Sequence, residues 1–322
     1  MSTIPEKSAA WHAQRARHVG GSEVASLFED LLIPNGERPF ISKFELWHRK
    51  AGTIEAENLD GNERIQAGNY LEPAIAKWVA DKTGWTLGYG QDVAGYQSNG
   101  KGLGGTPDYY IQPRDSQMRD GVLEIKTVDS LAWRDWPGGN PPLKYELQLQ
   151  AYMGLTRSPW GGIAFLIGGN ELKIQQYPFR PRMFEEAERR AVKFWDSIKA
   201  GSAPEVTDPA DIGLYLKTMK AWGENIVNWN EDEAIAALLE EHLELSSRLK
   251  TDEERCKWIK KELADRLAAS GARKGFTPRA NVTLVEVAPV ASGVITPDMV
   301  GQPIGGRKGS AYLKITPKKE KP

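Results

Sequence analysis

Two short segments of the 322-residue chain place acids and a lysine at spacings suited to phosphodiester hydrolysis. One is Gly105-Thr106-Pro107-Asp108; the other is Val122-Leu123-Glu124-Ile125-Lys126-Thr127. In an extended strand residues 124 and 126 share a face, while Leu123 and Ile125 point the opposite way and can pack in a core. A charged pair on an otherwise apolar strand is costly to desolvate unless something compensates it. Asp108, at the start of the preceding strand, can reach the same spot. Two carboxylates there repel each other unless a cation lies between them, and an all-oxygen set favours Mg²⁺ or Mn²⁺. Such ions bind a scissile phosphate, activate the attacking water and stabilise the leaving oxygen. A neighbouring ammonium steadies the charge that develops. E-x-K alone is a common pattern, and a structural Glu124–Lys126 ion pair is the alternative, although it leaves Asp108 and Glu72 unexplained.

Three other places add to this centre. Glu72 is an ionisable side chain on the apolar face of a helix expected over Asn62–Thr83, with Ile65, Gly68, Leu71, Ile75 and Val79, and it could complete a metal site directly or through water. In Tyr145-Glu146-Leu147-Gln148-Leu149-Gln150, Gln150 falls at inward spacing with Leu147. Its amide is placed to hydrogen-bond a nucleophilic water or a phosphate; the alternative is a core-edge amide bonded to backbone. Arg15 and Ser22 flank a Gly20-Gly21 break. Arginine suits bidentate phosphate binding, and a serine at a helix start adds donors; the alternative is a surface arginine and an N-cap serine.

The elements that must hold these groups can be read from period and punctuation. Helices are expected over 8–18, from Ser22 to about 29, over 42–51 with Ser42 at its start, and over Asn62–Thr83. Strands follow at Asp108–Ile111 and Gly121–Val128. A helix runs from Pro141-Pro142 to about Leu155, and Gly168-Gly169-Asn170 marks a hairpin between Gly162–Ile167 and Glu171–Tyr177. Pro181 opens a helix of about twenty residues. This order predicts an α/β core with a mixed central sheet flanked by helices. It closes near residue 205 and is followed by a connector over 206–230. Residues 231–270 form an amphipathic, coiled-coil-like helical module. Ile235, Leu238, Leu245, Leu249, Cys256, Ile259 and Leu263 follow an approximate heptad with His242 and Asp252 as faults, on one helix or two. Residues 271–322 read as a small β unit with a basic tail.

Composition narrows the class. No run of about 18 apolar residues is present, so no membrane span is expected, and the N-terminus lacks the apolar core of a secretory signal. The single Cys256 excludes an internal disulfide and multi-cysteine metal sites, which fits a reducing, cytoplasmic setting. Net charge is −1, but from residue 271 onward nine Lys/Arg face three acids, the pattern of a polyanion-binding or merely solvated end.

Taken together, Trp11…Arg15…Gly21-Ser22, Gly68-Asn69-Tyr70-Leu71-Glu72-Pro73, Thr106-Pro107-Asp108, Leu123-Glu124-Ile125-Lys126 and Gln148…Gln150…Tyr152 resemble, in order, the motifs of the phage lambda exonuclease and YqaJ-like viral recombinase family, over roughly residues 8–200. The resemblance implies a restriction-endonuclease-like PD-(D/E)XK fold. It implies a Mg²⁺-dependent 5′→3′ exonuclease acting on double-stranded DNA ends, with Mn²⁺ as a substitute and one or two ions per site. It also implies a trimeric ring, a single-strand annealing protein as partner, and a phage or prophage origin. Position by position, Asp108, Glu124, the Ile125 carbonyl and Glu72 would be metal ligands, Lys126 the catalytic lysine and Gln150 the motif glutamine. Arg15, Ser22 and Gln148 would face the DNA and its 5′-phosphate. A restriction-type endonuclease and a non-catalytic DNA-binding or recruitment protein on a nuclease scaffold remain the competing readings.

Overall fold

The structure is a computed structural model that describes residues 9–55, 61–114, 120–218, 228–287 and 310–317. The chain divides into two compact units, Met1–Trp222 and Gly223–Pro322. In the first unit the helices and strands are α1 (Ala9–Ala16), α2 (Glu29–Leu32), α3 (Lys43–Lys50), α4 (Glu63–Thr83), β1 (Thr86–Tyr89), α5 (Gly90–Val93), β2 (Gln97–Ser98), β3 (Gly104–Gly105), β4 (Tyr109–Gln112), β5 (Gly121–Val128), α6 (Ser130–Asp135), α7 (Leu143–Thr156), β6 (Trp160–Ile167), β7 (Glu171–Pro178), α8 (Pro181–Lys199) and α9 (Ile212–Thr218).

The core is a five-stranded mixed sheet in the order β1-β4-β5-β6-β7. Only β5 and β6 run parallel; the other neighbours are antiparallel. A central strand must be apolar on both faces, and β5 is: Leu123 and Ile125 pack with Ile75, Ala76 and Val79 of α4. Val122 packs on the other face with Leu149 and Met153 of α7. Strand alternation therefore turns Glu124 and Lys126 toward α7. Behind α7, Leu147 and Ala151 meet a further layer made of Val24, Leu27 and Phe28 with Ala191 and Phe194 of α8. The expected α/β class, mixed sheet and flanking helices are all present.

Local signals account for most boundaries. Ser42 accepts the Glu45 N–H at 2.9 Å and starts α3. Asn62 caps α4, and Pro181 sits in the first turn of α8. Gly168 and Gly169 turn the β6–β7 hairpin at φ 57° and 81°, where a side chain would be strained.

Two expectations are corrected. The segment after the Gly-Gly break is a 3₁₀ helix, Gly21–Phe28, with extended Gly20 at its cap position; Ser22 lies inside it instead of capping it. The Gly20 N–H is taken by the Glu23 carboxylate at 2.7 Å. On α4 only the second half is core. Ile75, Ala76 and Val79 are buried, whereas Ile65 and Leu71 are about two-fifths exposed. Pro73, which lacks an N–H, falls where the free half meets the buried half.

The second unit consists of α10 (Glu233–Ala269), β8 (Lys274–Phe276), β9 (Ala280–Val287) and β10 (Ser310–Pro317). The 231–270 module is thus one uninterrupted helix, capped by Asp232. The strands form an antiparallel sheet ordered β10-β9-β8, and Leu267, near the end of α10, is buried against it beside Gly275. Most of the expected basic tail, including Arg307, Lys308, Lys318, Lys319 and Lys321, lies outside the described residues. Among the described residues no helix is long and apolar enough to cross a membrane.

Candidate active site

The Thr106-Pro107-Asp108 turn is pinned by three hydrogen bonds, two to β5 and one to the start of α5. The Ile125 N–H donates to Asp108 Oδ2 at 2.7 Å, and the Asp108 N–H points at Glu124 Oε1 at 3.3 Å. The Asp108 carbonyl accepts the Gly90 N–H at 2.9 Å. Gly90 has no alternative as a residue type, since a Cβ there would stand 1.8 Å from the Pro107 carbonyl oxygen. Two acids sixteen residues apart are thereby fixed against each other by main-chain contacts, not by side-chain chance.

Glu124 is 1% exposed. Its Oε2 accepts from Lys126 Nζ at 3.1 Å and from Gln148 Nε2 at 2.6 Å. Burial first, and then the charge of Asp108, push the Glu124 carboxyl above its ordinary range, with Lys126 pulling the other way. For Lys126 burial acts to lower the pKa, but Glu124 and Asp108 outweigh it and hold the ammonium above its usual value. Tyr109, next to the turn, is pushed up to about 12 by burial and then by Glu72 and Asp108, so both acids act on one phenol.

Beside Glu124 lies a cavity of about 500 Å³. Asp108, Lys126, Gln148, Glu72, Arg15 and Ser22 all line it. The groups come from α1, the 3₁₀ segment, α4, the turn before β4, β5 and α7. The first half of α4 forms one wall through Ile65, Asn69 and Glu72, which is why Ile65 is not in the core. Arg15 stacks its guanidinium over Trp11 at 4.6 Å, and its own carbonyl accepts from Lys50 Nζ at 2.9 Å. Lys50 also pairs with Glu23 at 2.8 Å, so the corner around Gly20 and Gly21 is braced by this pair.

Gln150 is not part of this wall. Its Nε2 donates to the Pro178 carbonyl at 3.0 Å and its Oε1 accepts the Arg180 N–H at 2.8 Å. It joins α7 to the junction between β7 and α8, and Gln148 is the amide at the acids. Residues two apart on a helix point in nearly opposite directions, so only one of the pair can serve the centre. The Ile125 peptide is adjacent to Asp108 through its N–H.

Tyr152 is a site residue that sequence reading left without a role. A Cβ on Gly21 would lie 2.4 Å from its ring and one on Gly105 2.7 Å from it. The ring is clamped between the two glycines, which makes them packing requirements and not simple breakers. The available signal was its spacing: Tyr152 is one turn after Gln148, on the same helix face. Thr106 also faces the cavity, and its buried hydroxyl has no hydrogen-bond partner.

Among the described residues, no three His, Cys, Asp or Glu side chains are gathered into a complete metal cage. The residues nonetheless fit a hard divalent cation. The donors are carboxylate oxygens, the Asp108 main chain touches the Glu124 carboxylate, and Glu124 is held in an environment whose unfavourable charge a cation would relieve.

Comparison with known proteins finds matches to part of this chain. Residues 10–158 match the YqaJ-like viral recombinase domain, and this segment contains each of the cavity groups named above. The chain is similar to the uncharacterized protein YqaJ of Bacillus subtilis (strain 168), with 24% identity over 222 residues, 67% of this chain and 64% of the relative. The chain therefore spans less than two thirds of that relative's length. Among solved structures it is similar to an alkaline exonuclease, LHK-Exo, from Laribacter hongkongensis (TM-score 0.47, 20% identity, 65% of this chain and 96% of the other). It is also similar to a phage related exonuclease from Haemophilus somnus 129PT (TM-score 0.41, 13% identity, 57% and 96%).

Proposed function

We propose that the chain is a metal-dependent DNA exonuclease of the PD-(D/E)XK type that resects double-stranded ends in the 5′→3′ direction. The observation that carries the reading is the single cavity onto which Arg15, Ser22, Glu72, Asp108, Lys126 and Gln148 converge from distant stretches of sequence. A structural ion pair needs only Glu124 and Lys126. It gives no reason for a second acid pinned by backbone, and a third acid and an arginine lining the same cavity.

In this reading Asp108, Glu124, the Ile125 carbonyl and Glu72 would hold one or two Mg²⁺ ions, with Mn²⁺ able to replace them. When bound, the ion neutralises phosphate charge and lowers the pKa of an attacking water. The protein's own groups do the rest. Lys126, kept protonated by the acids around it, steadies charge building on the phosphate oxygens. Gln148 fixes the rotamer of Glu124 by its amide. Arg15, pre-oriented on Trp11, offers a bidentate fork to a terminal 5′-phosphate, and Ser22 adds a hydroxyl. Gripping the end while cleaving behind it would favour ends over interior sites. The products of such resection are single-stranded tails, the substrate of an annealing protein, which is the proposed partner.

The test is end-labelled linear duplex, with and without 5′-phosphate, alongside covalently closed circles. Expected is shortening of the linear, 5′-phosphorylated duplex in Mg²⁺, none in EDTA, and survival of the circles. Nicked circles would replace this reading with an endonuclease, and no hydrolysis in either metal would replace it with a binding protein. Metal binding is checked apart from turnover by calorimetric titration of Mn²⁺, which Asp108→Asn should abolish.

A further inference from the structure

The 37-residue helix α10, about 55 Å long at 1.5 Å per residue, exposes apolar residues where a soluble helix would bury them. Leu238, Leu245 and Leu249 are 65%, 56% and 63% exposed. With Ile235, His242, Asp252, Cys256 and Ile259 they fall alternately three and four residues apart, the a and d positions of a coiled-coil seam. Beyond Ile259 the helix is covered: Leu263 is half-buried and Leu267 is buried in the sheet of its own unit. The seam left open runs from half-buried Ile235 to exposed Ile259, and its midpoint is Ser247.

We propose that this seam is the interface of a two-fold antiparallel coiled coil with a second copy of this chain, centred on Ser247. Reversing one helix exchanges a and d layers, so each residue meets the one equidistant on the other side of the centre. Ile235 then packs on the partner's Ile259, Leu238 on the partner's Cys256, and Leu245 on the partner's Leu249. The two polar faults are also equidistant from Ser247, so His242 meets the partner's Asp252. The arrangement converts two isolated polar intrusions into two hydrogen-bonded pairs related by the dyad. A parallel pair in register would instead stack Asp252 on Asp252 and His242 on His242, which is unfavourable for the acids. The flanks agree. Glu241 lies across from the partner's Arg255, and Lys260 from the partner's Asp232. Arg248 meets its own copy at the dyad and is the one like-charged contact.

Within one chain Arg248 stands 3.8 Å from Asp252 and Arg255 stands 3.4 Å from Glu262, but all four side chains are more than half exposed. Pairs so exposed contribute little and leave these groups available to a partner. Leu243 and Trp258 are exposed off the seam and take no part in the argument.

The test uses the full chain. In sedimentation equilibrium the wild type should form a dimer or an even multiple. His242→Asp should raise the dissociation constant about tenfold or more, because it sets acid against acid. The exchange His242→Asp/Asp252→His should restore wild-type association. Independently, Leu238→Cys should form an interchain disulfide with native Cys256 on mild oxidation, while the wild type, with Cys256 alone, should not cross-link. A monomer at the highest soluble concentration overturns the proposal and leaves the seam to a different protein. Cross-linking of the wild type through Cys256 overturns it in favour of parallel pairing, and a double variant as weak as the single one overturns the His242–Asp252 contact.

Discussion

The cavity of the first unit and helix α10 of the second invert each other. At the cavity the unusual residues are polar and buried: Glu124 and Gln148 lie inside, held by named partners. On α10 the unusual residues are apolar and exposed. Each is a departure from the ordinary partition of side chains, and each points to something the folded monomer alone does not supply. A buried acid asks for a counter-charge, whereas an exposed leucine asks for a covering surface. The comparison also bears on assembly. An antiparallel helix pair closes at two copies, a demand on stoichiometry that the cavity by itself does not make.

The largest expected effect tests the polar side of this contrast. Lys126→Ala should lower the hydrolytic rate constant by about 10²–10³-fold, the scale of losing one preorganised charge-stabilising donor, with the fold retained by circular dichroism. Wild-type turnover in this variant would reduce Glu124–Lys126 to a structural pair.

The next test compares one residue type in the two regions. Leu123 is 0% exposed and Leu249 is 63% exposed. Leu123→Ala should cost about 2–5 kcal/mol in chemical denaturation, because it opens a cavity in the sheet. Leu249→Ala, measured at concentrations where the chain is dissociated, should stay within about 0.5 kcal/mol. Equal losses would mean that α10 is covered within the monomer, and the contrast would fail.

A third comparison divides the two glutamines of α7. Gln150→Ala leaves the Pro178 carbonyl and the Arg180 N–H without their partner, so it should cost about 1–3 kcal/mol of stability and leave the metal affinity unchanged. Gln148→Ala should chiefly reduce turnover, by releasing Glu124. If Gln150→Ala is the variant that loses catalysis at unchanged stability, the assignment of the site amide is reversed.

These glutamines show where the sequence was legible and where it was not. The E-x-K strand could be read because β5 alternates between two different environments, and period two separates them. The hairpin and the caps could be read because Gly168-Gly169-Asn170, Ser42, Asn62 and Pro181 act within a few residues of themselves. Helix α7 carries no such contrast: Leu147 through Met153 are all buried, so periodicity marks no inward face and cannot choose between Gln148 and Gln150. Only the position of the sheet decides. The first half of α4 misled for the converse reason. Ile65 and Leu71 have core spacing, but Ile65 lines the cavity and Leu71 is exposed, and a helix face toward a cavity has the same pattern as one toward a core. Arg15 and Ser22 were found as residue types, but the reason for Gly21 between them, the Tyr152 ring, is a contact more than a hundred residues away in the chain. On α10 the heptad was visible, yet exposure is a property of the fold and could not be.

The smallest effect concerns His48, a buried polar residue of the first unit away from the cavity. Its Nδ1 is 2.6 Å from Thr53 Oγ1, and that hydroxyl donates to the His48 carbonyl at 3.1 Å. The hydroxyl proton is thus committed, which assigns the imidazole proton to Nδ1. Nε2 is buried without a hydrogen-bond partner, and the ring packs against Phe44 and Trp47 at centroid distances of 4.5 and 4.9 Å. Protonating Nε2 would bury a charge and an unmet donor, and burial accordingly lowers the His48 pKa from its ordinary 6.5. The sign follows from proton counting: between the lowered value and 6.5 the unfolded chain binds the proton and the folded chain does not. The contribution is complete above pH 6.5 and is lost as pH falls through the folded-state pKa, with a slope of at most about 1.4 kcal/mol per pH unit. Urea midpoints measured from pH 7.5 down to 5 should fall in the wild type and fall less in His48→Gln. An identical slope in the two proteins would show that the imidazole is solvated, and that the first unit is less tightly closed around its polar groups than the contrast with α10 requires.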